Sequence, residues 1–428
     1  FNDPLIDNKD SNKRYRADVL IEDYIAKINS KIDKEIVKAK KRFGENFDEK
    51  VYRDTNERVK KYTSQVTETS SKMNAFLKSN DLKGLRNLIG DLNINDPVSG
   101  TSNWTDVKQF NLMFSTEIGS TSDSSKKIFL RPETAQGIFL NFLNVVNSTR
   151  VKIPFGIAQI GKAFRNEIIA RQFIFRMREF EQMEMQFFIE PGTEMKWYEE
   201  WKNKRMKWHN ALGLGENLYK FHDHENLAHY ANAACDIEFD FPMGFKELEG
   251  IHSRTDFDLK NHQKHSGKKI NYFDQKSSSS FIPYVVETSL GLDRLFLAVI
   301  SSSLQNEKHE DGSERVVLQV PFEISPVKVA VMPLNAKDGL PEKALKIYDE
   351  LKLNFKTHYD YKDSIGKRYR RQDSIGTPFC ITVDYDSLKD NSVTIRNRDS
   401  MEQERIPINL LVNHINKFTS INNLLKKI

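Results

Sequence analysis

The chain has 428 residues, 38% of them hydrophobic and 29% charged, a size and composition that suit two or three globular units with sizeable cores. Two cysteines, Cys235 and Cys380, exclude a disulfide-built framework, and the absence of any apolar run of membrane-helix length excludes a helical membrane protein. The net charge of +5 is unevenly placed: residues 326–428 carry 18 Lys and Arg against 13 Asp and Glu, leaving 47 against 47 before them, so a polyanionic partner would be drawn to the last quarter.

The opening FNDPLIDNKD does not read as a signal peptide, and with this cysteine usage a reducing, cytoplasmic location is expected. From about Ile25 to Gly90 the chain turns rich in Lys, Glu, Asn and Asp, with Ile25, Ile28, Ile32 and Ile36 at helical spacing. Residues 26–95 are therefore read as a helical insertion whose charges cover a solvated face. The string RPETAQG, Arg131 to Gly137, leads into the apolar IFLNFLNVV and places Glu133 near a helix start, where a carboxylate can serve simply as a cap.

The stretch from Ala158 to Phe188 concentrates the chemistry. Its second half alternates as a strand: Arg176, Arg178, Phe180, Gln182, Glu184 and Gln186 share one face, while Met177, Met183, Met185 and Phe187 lie mostly on the other, which is read as the core side. Arg165 and Glu167 share a face of the preceding strand. The eight residues between Glu167 and Arg176 suit a hairpin loop, which would make the two polar faces neighbours in an antiparallel pair. Such a face is costly to bury without a charged ligand. A guanidinium can fork onto a phosphate, Phe180 can take a purine and a carboxylate can accept from amino groups, so a nucleotide triphosphate fits. Gly156, Gly161 and Lys162 match the spacing of a phosphate-binding loop, but Ala163 stands where Ser or Thr is required and the strand pattern runs straight through, so that reading is rejected.

His222, His224, His229, His262 and His265 have loose ligand-like spacings, yet neither Cys pairs nor a His-Glu-x-x-His helix accompany them, and surface or hydrogen-bonded histidines are favoured over a metal site. Ser277 to Ser280 reads as a flexible linker. PYVVETSLG follows as a strand ending at Glu287 with a turn at Gly291, and Arg294 then leads an apolar helix, which suits a terminal phosphate or simply a buried helix. Ser301 to Glu314 reads as a loop and Gln319 to Pro326 as a hinge. Beyond it, alternating strands and helices indicate a small α/β domain over residues 326–428. Within that domain Lys367, Arg368, Arg370 and Arg371 interleave with tyrosines, a composition able to hold phosphates and stack bases, or to form a solvated helix.

FRNE at 164–167, the spacing of Arg176, Phe180 and Glu184, and the strings WTDVKQFNLMF, RPETAQG, KELEGIHSRTDFDL and GLDR together resemble the class II aminoacyl-tRNA synthetases, and within them the glycyl-tRNA synthetases of the homodimeric bacterial type. The resemblance spans nearly the whole chain and is weakest over residues 26–95, whose charges could on this view also meet a tRNA acceptor stem. It implies an α+β fold, a class II antiparallel sheet flanked by helices. That catalytic core would begin in residues 1–25 and occupy 96–320, with an inserted segment at about 210–280, and a C-terminal α/β anticodon-binding domain would fill 326–428. The activity implied is activation of glycine with ATP to glycyl-adenylate and transfer to the 3′ end of tRNA(Gly), by a cytoplasmic homodimer with no membrane partner.

The roles implied residue by residue are these. Arg165 and Arg294 carry catalysis, holding the α-phosphate and the γ-phosphate; Phe180 stacks adenine, and Glu167 helps fix the base. Glu133, Glu184 and Ser289 surround glycine, and Glu287 helps hold Mg²⁺ near the phosphates or reaches the substrate amine. Glu247 and Arg254 line the site, Arg254 as a ligand to phosphate or carboxylate, while Lys367, Arg368, Arg370 and Arg371 meet tRNA. Asn8 and Ser11 stand where many relatives carry Cys-x-x-Cys, so no zinc is expected; Thr288 replaces a proline, and Ser120 follows Gly119 where Gly-Pro is common. The chain opens on Phe1, and the family's first motif, an interface helix and strand, is expected ahead of it. Two alternatives remain: a synthetase for proline, threonine or histidine, against which RPETAQG stands, and a catalytically inactive synthetase-like nucleic-acid-binding accessory protein, against which Arg165 and Arg294 stand.

Overall fold

The computed structural model describes residues 2–44, 47–119, 126–167, 173–224, 227, 230–308, 312 and 314–428. They fall into two units, Phe1–Pro132 with Phe164–Ile169, and Glu133–Ala163 with Ala170–Ile428. Ser120, most of the hairpin loop expected after Glu167, and His229 lie outside the described residues.

In the first unit the strand Asn2–Asn8 lies between Lys13–Arg16 and Lys108–Asn111, antiparallel to both. Asn8 closes the first turn: its buried side chain accepts from the backbone N–H groups of Asp10 and Ser11, each at 3.0 Å. The following helix runs Ala17–Phe43 and so starts well before the expected 26. The reason is that Ala17, Leu20 and Ile21 extend the buried stripe of Ile28, Ile32 and Ile36 toward the N-terminus, whereas Ile25 is only half-buried. This helix packs with Glu57–Ser79 and Leu82–Asp91 around Ile6, Met73, Leu85, Ile89 and Trp104. Residues 1–25 therefore share a core with the helical segment, which corrects the separate placement of the two.

The second unit is built on a six-stranded sheet in the order Phe155–Phe164, Glu179–Ile189, Tyr284–Gly291, Gly244–Thr255, Ala233–Phe241 and Tyr219–Asp223. From Glu179–Ile189 onward each neighbouring pair is antiparallel. The segment at about 210–280, read as inserted, thus supplies three strands of the main sheet. Within it Cys235, Ile237, Phe239 and Phe241 alternate along one strand and are all buried. One sheet face is covered by the helices Glu194–Ala211 and Leu292–Ser303 over Ile189, Ile237, Ile251, Val286 and Leu290. On the other, Ala135–Thr149 and Phe257–Ser266 pack over Phe188 and Val285, with Phe139 edge-on to Phe188 at 6.4 Å between centroids.

This double cover corrects the reading of Glu179–Ile189. Gln182, Glu184 and Gln186 are buried, while Met183, Met185 and Phe187 are only half-buried, so the polar face lies deeper than the apolar one.

Three connections also differ from expectation. Ser279–Phe281 pairs with Tyr272–Asp274, and Asp274 closes the turn by accepting from Lys276 and Ser277 N–H, so the serine run is a hairpin rather than a linker. Leu304–Lys308 pairs with Glu314–Leu318, because alternating Arg315 and Val317 are buried, so the expected loop at 301–314 is helix end and hairpin among its described residues. The expected hinge is tied down: Lys328 Nζ donates to Phe322 O at 3.0 Å and Glu323 O at 2.8 Å, and Ser325 is buried.

The last domain has a five-stranded sheet in the order Thr357–Tyr359, Val329–Pro333, Phe379–Val383, Ser392–Asn397 and Gln403–Pro407. Its first three strands are parallel and its last two antiparallel additions. Val329–Pro333 and Phe379–Val383 are buried throughout, as parallel strands covered on both faces must be. The amphipathic helices Leu340–Leu351 and Leu411–Thr419 close one core around them.

Candidate active site

Two cross-strand rows define the polar end of the main sheet. Glu184 faces Ser289, which faces Gly250; two residues along, Gln186 faces Glu287, which faces His252. Directly opposed residues share a face, so these side chains all point to the side that also receives the start of the helix Ala135–Thr149. Thr134, its N-cap residue, joins the first row: its N–H donates to Gln182 Oε1 at 3.3 Å and its hydroxyl donates to Glu184 Oε2. Gln182 Nε2 in turn donates to Glu184 Oε1 at 3.0 Å and Ser289 Oγ at 2.8 Å.

Arg254 is aimed into the second row by a bulge. Register runs regularly to Ser253 opposite Val286, then resumes with Thr255 opposite Val285, leaving Arg254 as the extra residue, and Thr255 takes a φ of 56°. The guanidinium closes on Asp258 through Nε at 2.8 Å and Nη2 at 3.1 Å, and donates from Nη1 to Glu287 Oε2 at 2.8 Å. Glu133 Oε1 lies 3.8 Å from Nη2, and the Tyr230 ring stacks 4.3 Å from the guanidinium carbon. Glu133 also accepts from Gln136 Nε2 at 2.8 Å. The second oxygen of Glu287 lies 3.2 Å from His252 Nδ1, and Gln186 Nε2 donates to Glu287 Oε2 at 2.5 Å.

Four buried carboxylates, Glu133, Glu184, Asp258 and Glu287, thus gather about Arg254. Their protonation is pushed apart. Burial alone would raise Glu287, but Arg254, followed by His252 and Gln186, more than offsets it and holds this carboxyl well below the usual range. Glu184 is raised by burial and then by the charge of Glu287, against the Thr134 hydroxyl bond. Glu133 is raised by burial, which Arg254 opposes only in part. Gln186 Oε1, also buried, accepts no hydrogen bond among the described residues. Such a site is short of positive charge and of hydrogen-bond donors, and an ammonium group supplies both.

The other expected residues divide. Glu133, Glu184, Arg254, Glu287 and Ser289 come together as described. Arg254 is not poised for a phosphate, because its donors are engaged by protein carboxylates, and it acts here as the organiser of the cluster. Glu287 likewise does not present a free edge to Mg²⁺, since both of its oxygens are approached by nitrogen groups of the protein. Arg294 lies in the first turn of Leu292–Ser303, donates to Glu247 O at 2.9 Å, pairs with Glu247 Oε2 at 3.2 Å and packs on the Phe175 ring. Phe180 is half-buried near the start of its strand, which begins at Glu179, so Arg176 and Arg178 precede the strand rather than extend its face.

Arg165 and Glu167 belong to the first unit and lie beyond the end of Phe155–Phe164. The expected continuation of the strand fails because the backbone folds on itself there: Glu167 N–H donates to Arg165 O at 2.8 Å, while Arg165 Nε donates to Pro132 O at 3.1 Å. Among the histidines, His224 pairs with Asp236 at 2.8 Å, His222 with Glu238 at 3.7 Å and His262 with Gln136 at 2.7 Å. No group of residues suited to holding a metal occurs among the described residues.

In the last domain Lys367, Arg370 and Arg371 are exposed on the helix Ile365–Ser374, with Arg370 donating to Glu314 O at 2.5 Å and Arg371 paired with Asp360 at 2.9 Å and Asp363 at 2.7 Å. Arg368 corrects the expectation: it is buried and spends Nη1 on Pro333 O at 2.6 Å and Nη2 on Leu334 O at 3.0 Å, so it cannot meet an outside partner. Thr134, His252 and Asp258 were not singled out from the sequence, and Gln182 and Gln186 were placed on the polar strand face without a role of their own. The glutamines were legible, since they lie two residues either side of Glu184 on its face. Within KELEGIHSRTDFDL nothing set His252 and Asp258 apart until the sheet register placed His252 opposite Glu287 and the helix Phe257–Ser266 placed Asp258 beside Arg254.

Three family models match the chain: glycyl-tRNA synthetase insertion domain 1 over residues 3–112, the tRNA synthetase class II core domain (G, H, P, S and T) over 114–303, and an anticodon binding domain over 328–418. The chain is 48% identical over 407 residues to a glycine–tRNA ligase of Chlorobaculum tepidum, an alignment covering 95% of this chain and 80% of that one. It is 55% identical over 318 residues to a glycine–tRNA ligase of Treponema denticola, covering 73% of this chain and 70% of that one. Among solved structures, a threonyl-tRNA synthetase RNA binding domain from Cryptosporidium parvum aligns with a TM-score of 0.54 over 72% of this chain and 80% of that one. A Giardia lamblia prolyl-tRNA synthetase in complex with prolyl-adenylate aligns at 0.51 over 74% of this chain and 65% of that one. Both are 19% identical, a likeness of fold alone.

Proposed function

Because the chain belongs to the glycyl-tRNA synthetase family, whose members activate glycine with ATP and pass it to tRNA, we propose that the buried carboxylate cluster about Arg254 is where glycine is held. The observation that carries this reading is the gathering of four buried carboxylates, Glu133, Glu184, Asp258 and Glu287, about Arg254 beside the unmatched acceptor Gln186 Oε1, and burial pushes Glu133 and Glu184 up accordingly. An ammonium group brings three donors and one positive charge to acceptors that otherwise share a deficit. Ser289 stands in the same row, flanked by Gly250, where an added Cβ would come within 2.8 Å of His252 Cε1. That close packing supports exclusion of side chains larger than hydrogen, with Ser289 and His252 as part of the wall.

Activation requires the glycine carboxylate to attack the α-phosphorus of ATP, a displacement served by positioning and charge rather than by a protein nucleophile. We assign the α-phosphate to Arg165 and the γ-phosphate to Arg294, the latter on leaving Glu247; Phe180 takes the adenine ring and Glu167 helps fix the base. The class II core is consistent with use of ATP and Mg²⁺. A magnesium ion would neutralise phosphate charge, and Glu287 is left out of its ligands because that carboxylate already serves Arg254, Gln186 and His252. The domain over 326–428 is assigned to tRNA through Lys367, Arg370 and Arg371, without Arg368. A homodimer working in the cytoplasm is part of this proposal; no helix among the described residues is long and apolar enough to cross a membrane.

The test is pyrophosphate exchange into ATP with each standard amino acid. Glycine alone should drive it, with alanine as the demanding competitor. Exchange driven best by proline, threonine or histidine would overturn the glycine assignment. The inactive accessory reading finds no support among the relatives matched, which are named as ligases.

A further inference from the structure

The helix Ile365–Ser374 has two differently occupied sides. Lys367, Arg370 and Arg371 face outward, while Asp373, near its end, is buried at 1% exposure. Asp373 accepts from Arg396 of its own domain through Nη1 at 2.8 Å and Nη2 at 3.0 Å. It accepts a third bond, at 3.2 Å, from Nη1 of Arg315, which lies on the hairpin strand Glu314–Leu318 ahead of the domain. Arg315 is itself buried and spans the junction: Nη1 also donates to Arg398 O at 2.9 Å, and Nε and Nη2 close on Glu307 across the hairpin. Glu307 Oε1 accepts from Gln319 Nε2 at 2.7 Å, and Gln319 N–H donates to Ser303 O at 2.6 Å, the last residue of the helix whose first turn carries Arg294.

Backbone packing reinforces this seam. Arg398, fully buried, donates to Gly376 O at 2.9 Å and to Val320 O at 2.8 Å. Gly376 has a φ of 81°, and a Cβ there would lie 2.9 Å from Val320 Cγ2 and 3.0 Å from Leu318 O. The turn after the basic helix therefore seats directly on the end of the hairpin. Desolvating a carboxylate between two guanidiniums is offset only when all three are matched, and a domain on a slack tether would not draw one of those partners from outside itself.

We propose that Asp373 and Arg315 form a latch that holds the C-terminal domain in one orientation on the catalytic core, and thereby positions tRNA for the transfer step while contributing nothing to glycine activation. Both are positioning residues: they touch neither glycine, ATP nor the exposed cations. The inference rests on the reading that the C-terminal domain meets tRNA. The physical basis is that a reacting group misplaced by about 1 Å can lose about a hundredfold in rate, and that a second binding contact gains only when its geometry permits simultaneous engagement.

Arg315→Met tests this directly, because it leaves Asp373 paired with Arg396 and so leaves the C-terminal domain its own ion pair. In the full-length protein, glycine-dependent pyrophosphate exchange should stay within about twofold of the parent, while kcat/KM for tRNA charging falls by about tenfold or more. Asp373→Asn should give the same split, and if that variant fails to fold, Arg315→Met decides. Unchanged charging by Arg315→Met, or loss of both steps in equal proportion, would overturn the latch. Lys367→Glu separates the two ideas, because it alters an exposed cation and leaves Arg370, which donates to Glu314 O at 2.5 Å, in the seam. If charging is indifferent to that variant, the tRNA reading itself falls; if charging drops there but not in Arg315→Met, only the latch falls.

Discussion

Arg254 donates to Glu287 at 2.8 Å while the same guanidinium forks onto Asp258, so one buried cation fixes carboxylates from a strand and from a helix at once. The pairing explains why Glu287 stays ionised in a buried setting, whereas Glu133 and Glu184 are raised by burial, which Arg254 offsets only in part.

Removing that cation should be severe. Arg254→Met would leave Glu287 and Asp258 buried without a counter-ion, and breaking a buried pair from one side costs about 3–5 kcal/mol. Urea unfolding should show a loss of this size, and a loss below about 1 kcal/mol would mean that water reaches the cluster more freely than its burial indicates.

Glu184 predicts a pH dependence with a definite sign. Its folded-state carboxyl is raised, by burial first and by Glu287 next, so the folded protein holds that proton more tightly than the unfolded chain. Its contribution to stability is complete below the ordinary carboxylate range and is lost as pH rises through the raised value. Glu184→Gln should flatten that decline in thermal unfolding across pH. Glycine's ammonium favours the carboxylate, so glycine binding should release protons, and calorimetry in two buffers of different ionisation heat should find fewer released by Glu184→Gln.

Arg165→Ala should cut glycine-dependent pyrophosphate exchange by about two orders of magnitude, the usual loss for a donor aimed at developing charge. Near-normal exchange from a folded variant would reassign the α-phosphate to another residue.

Neighbours on one helix should behave oppositely. Arg368→Ala strands the carbonyls of Pro333 and Leu334 and should cost stability, about 1–3 kcal/mol for buried groups left unsatisfied. Lys367→Ala should leave stability alone and reduce the salt dependence of tRNA binding by about one unit of slope. Filter binding over a salt series, set beside denaturant curves for both variants, checks the contrast.

Much of this could be read from the chain because local patterns are short-ranged. The alternation of Gln182, Glu184 and Gln186 located a polar strand face, and RPETAQG put Glu133 just ahead of a helix, as found. What failed was whatever depends on the partner surface. The face of Met183 and Met185 looked like the core side because hydropathy does not tell which face a helix will bury more deeply. Arg368 and Arg371 are the same residue type three positions apart, yet one is swallowed by the sheet and the other left outside, a difference set by where the strand Val329–Pro333 ends. The cluster itself is a product of register: His252 meets Glu287 only because Gly250 faces Ser289 two residues away.

The bulge at Arg254 places this sheet one codon from regularity. With that residue deleted, Thr255 would follow Ser253 directly and the ladder opposite Val286 and Val285 would run unbroken. The β-branched Thr255 would also be released from its positive φ, a conformation that costs on the order of 1–3 kcal/mol. Backbone regularity and local strain would thus both favour the shortened strand, whose sheet could still form although the cation that organises its carboxylates was gone. The longer strand thus carries the cation that organises the cluster on a backbone that would be more relaxed without it.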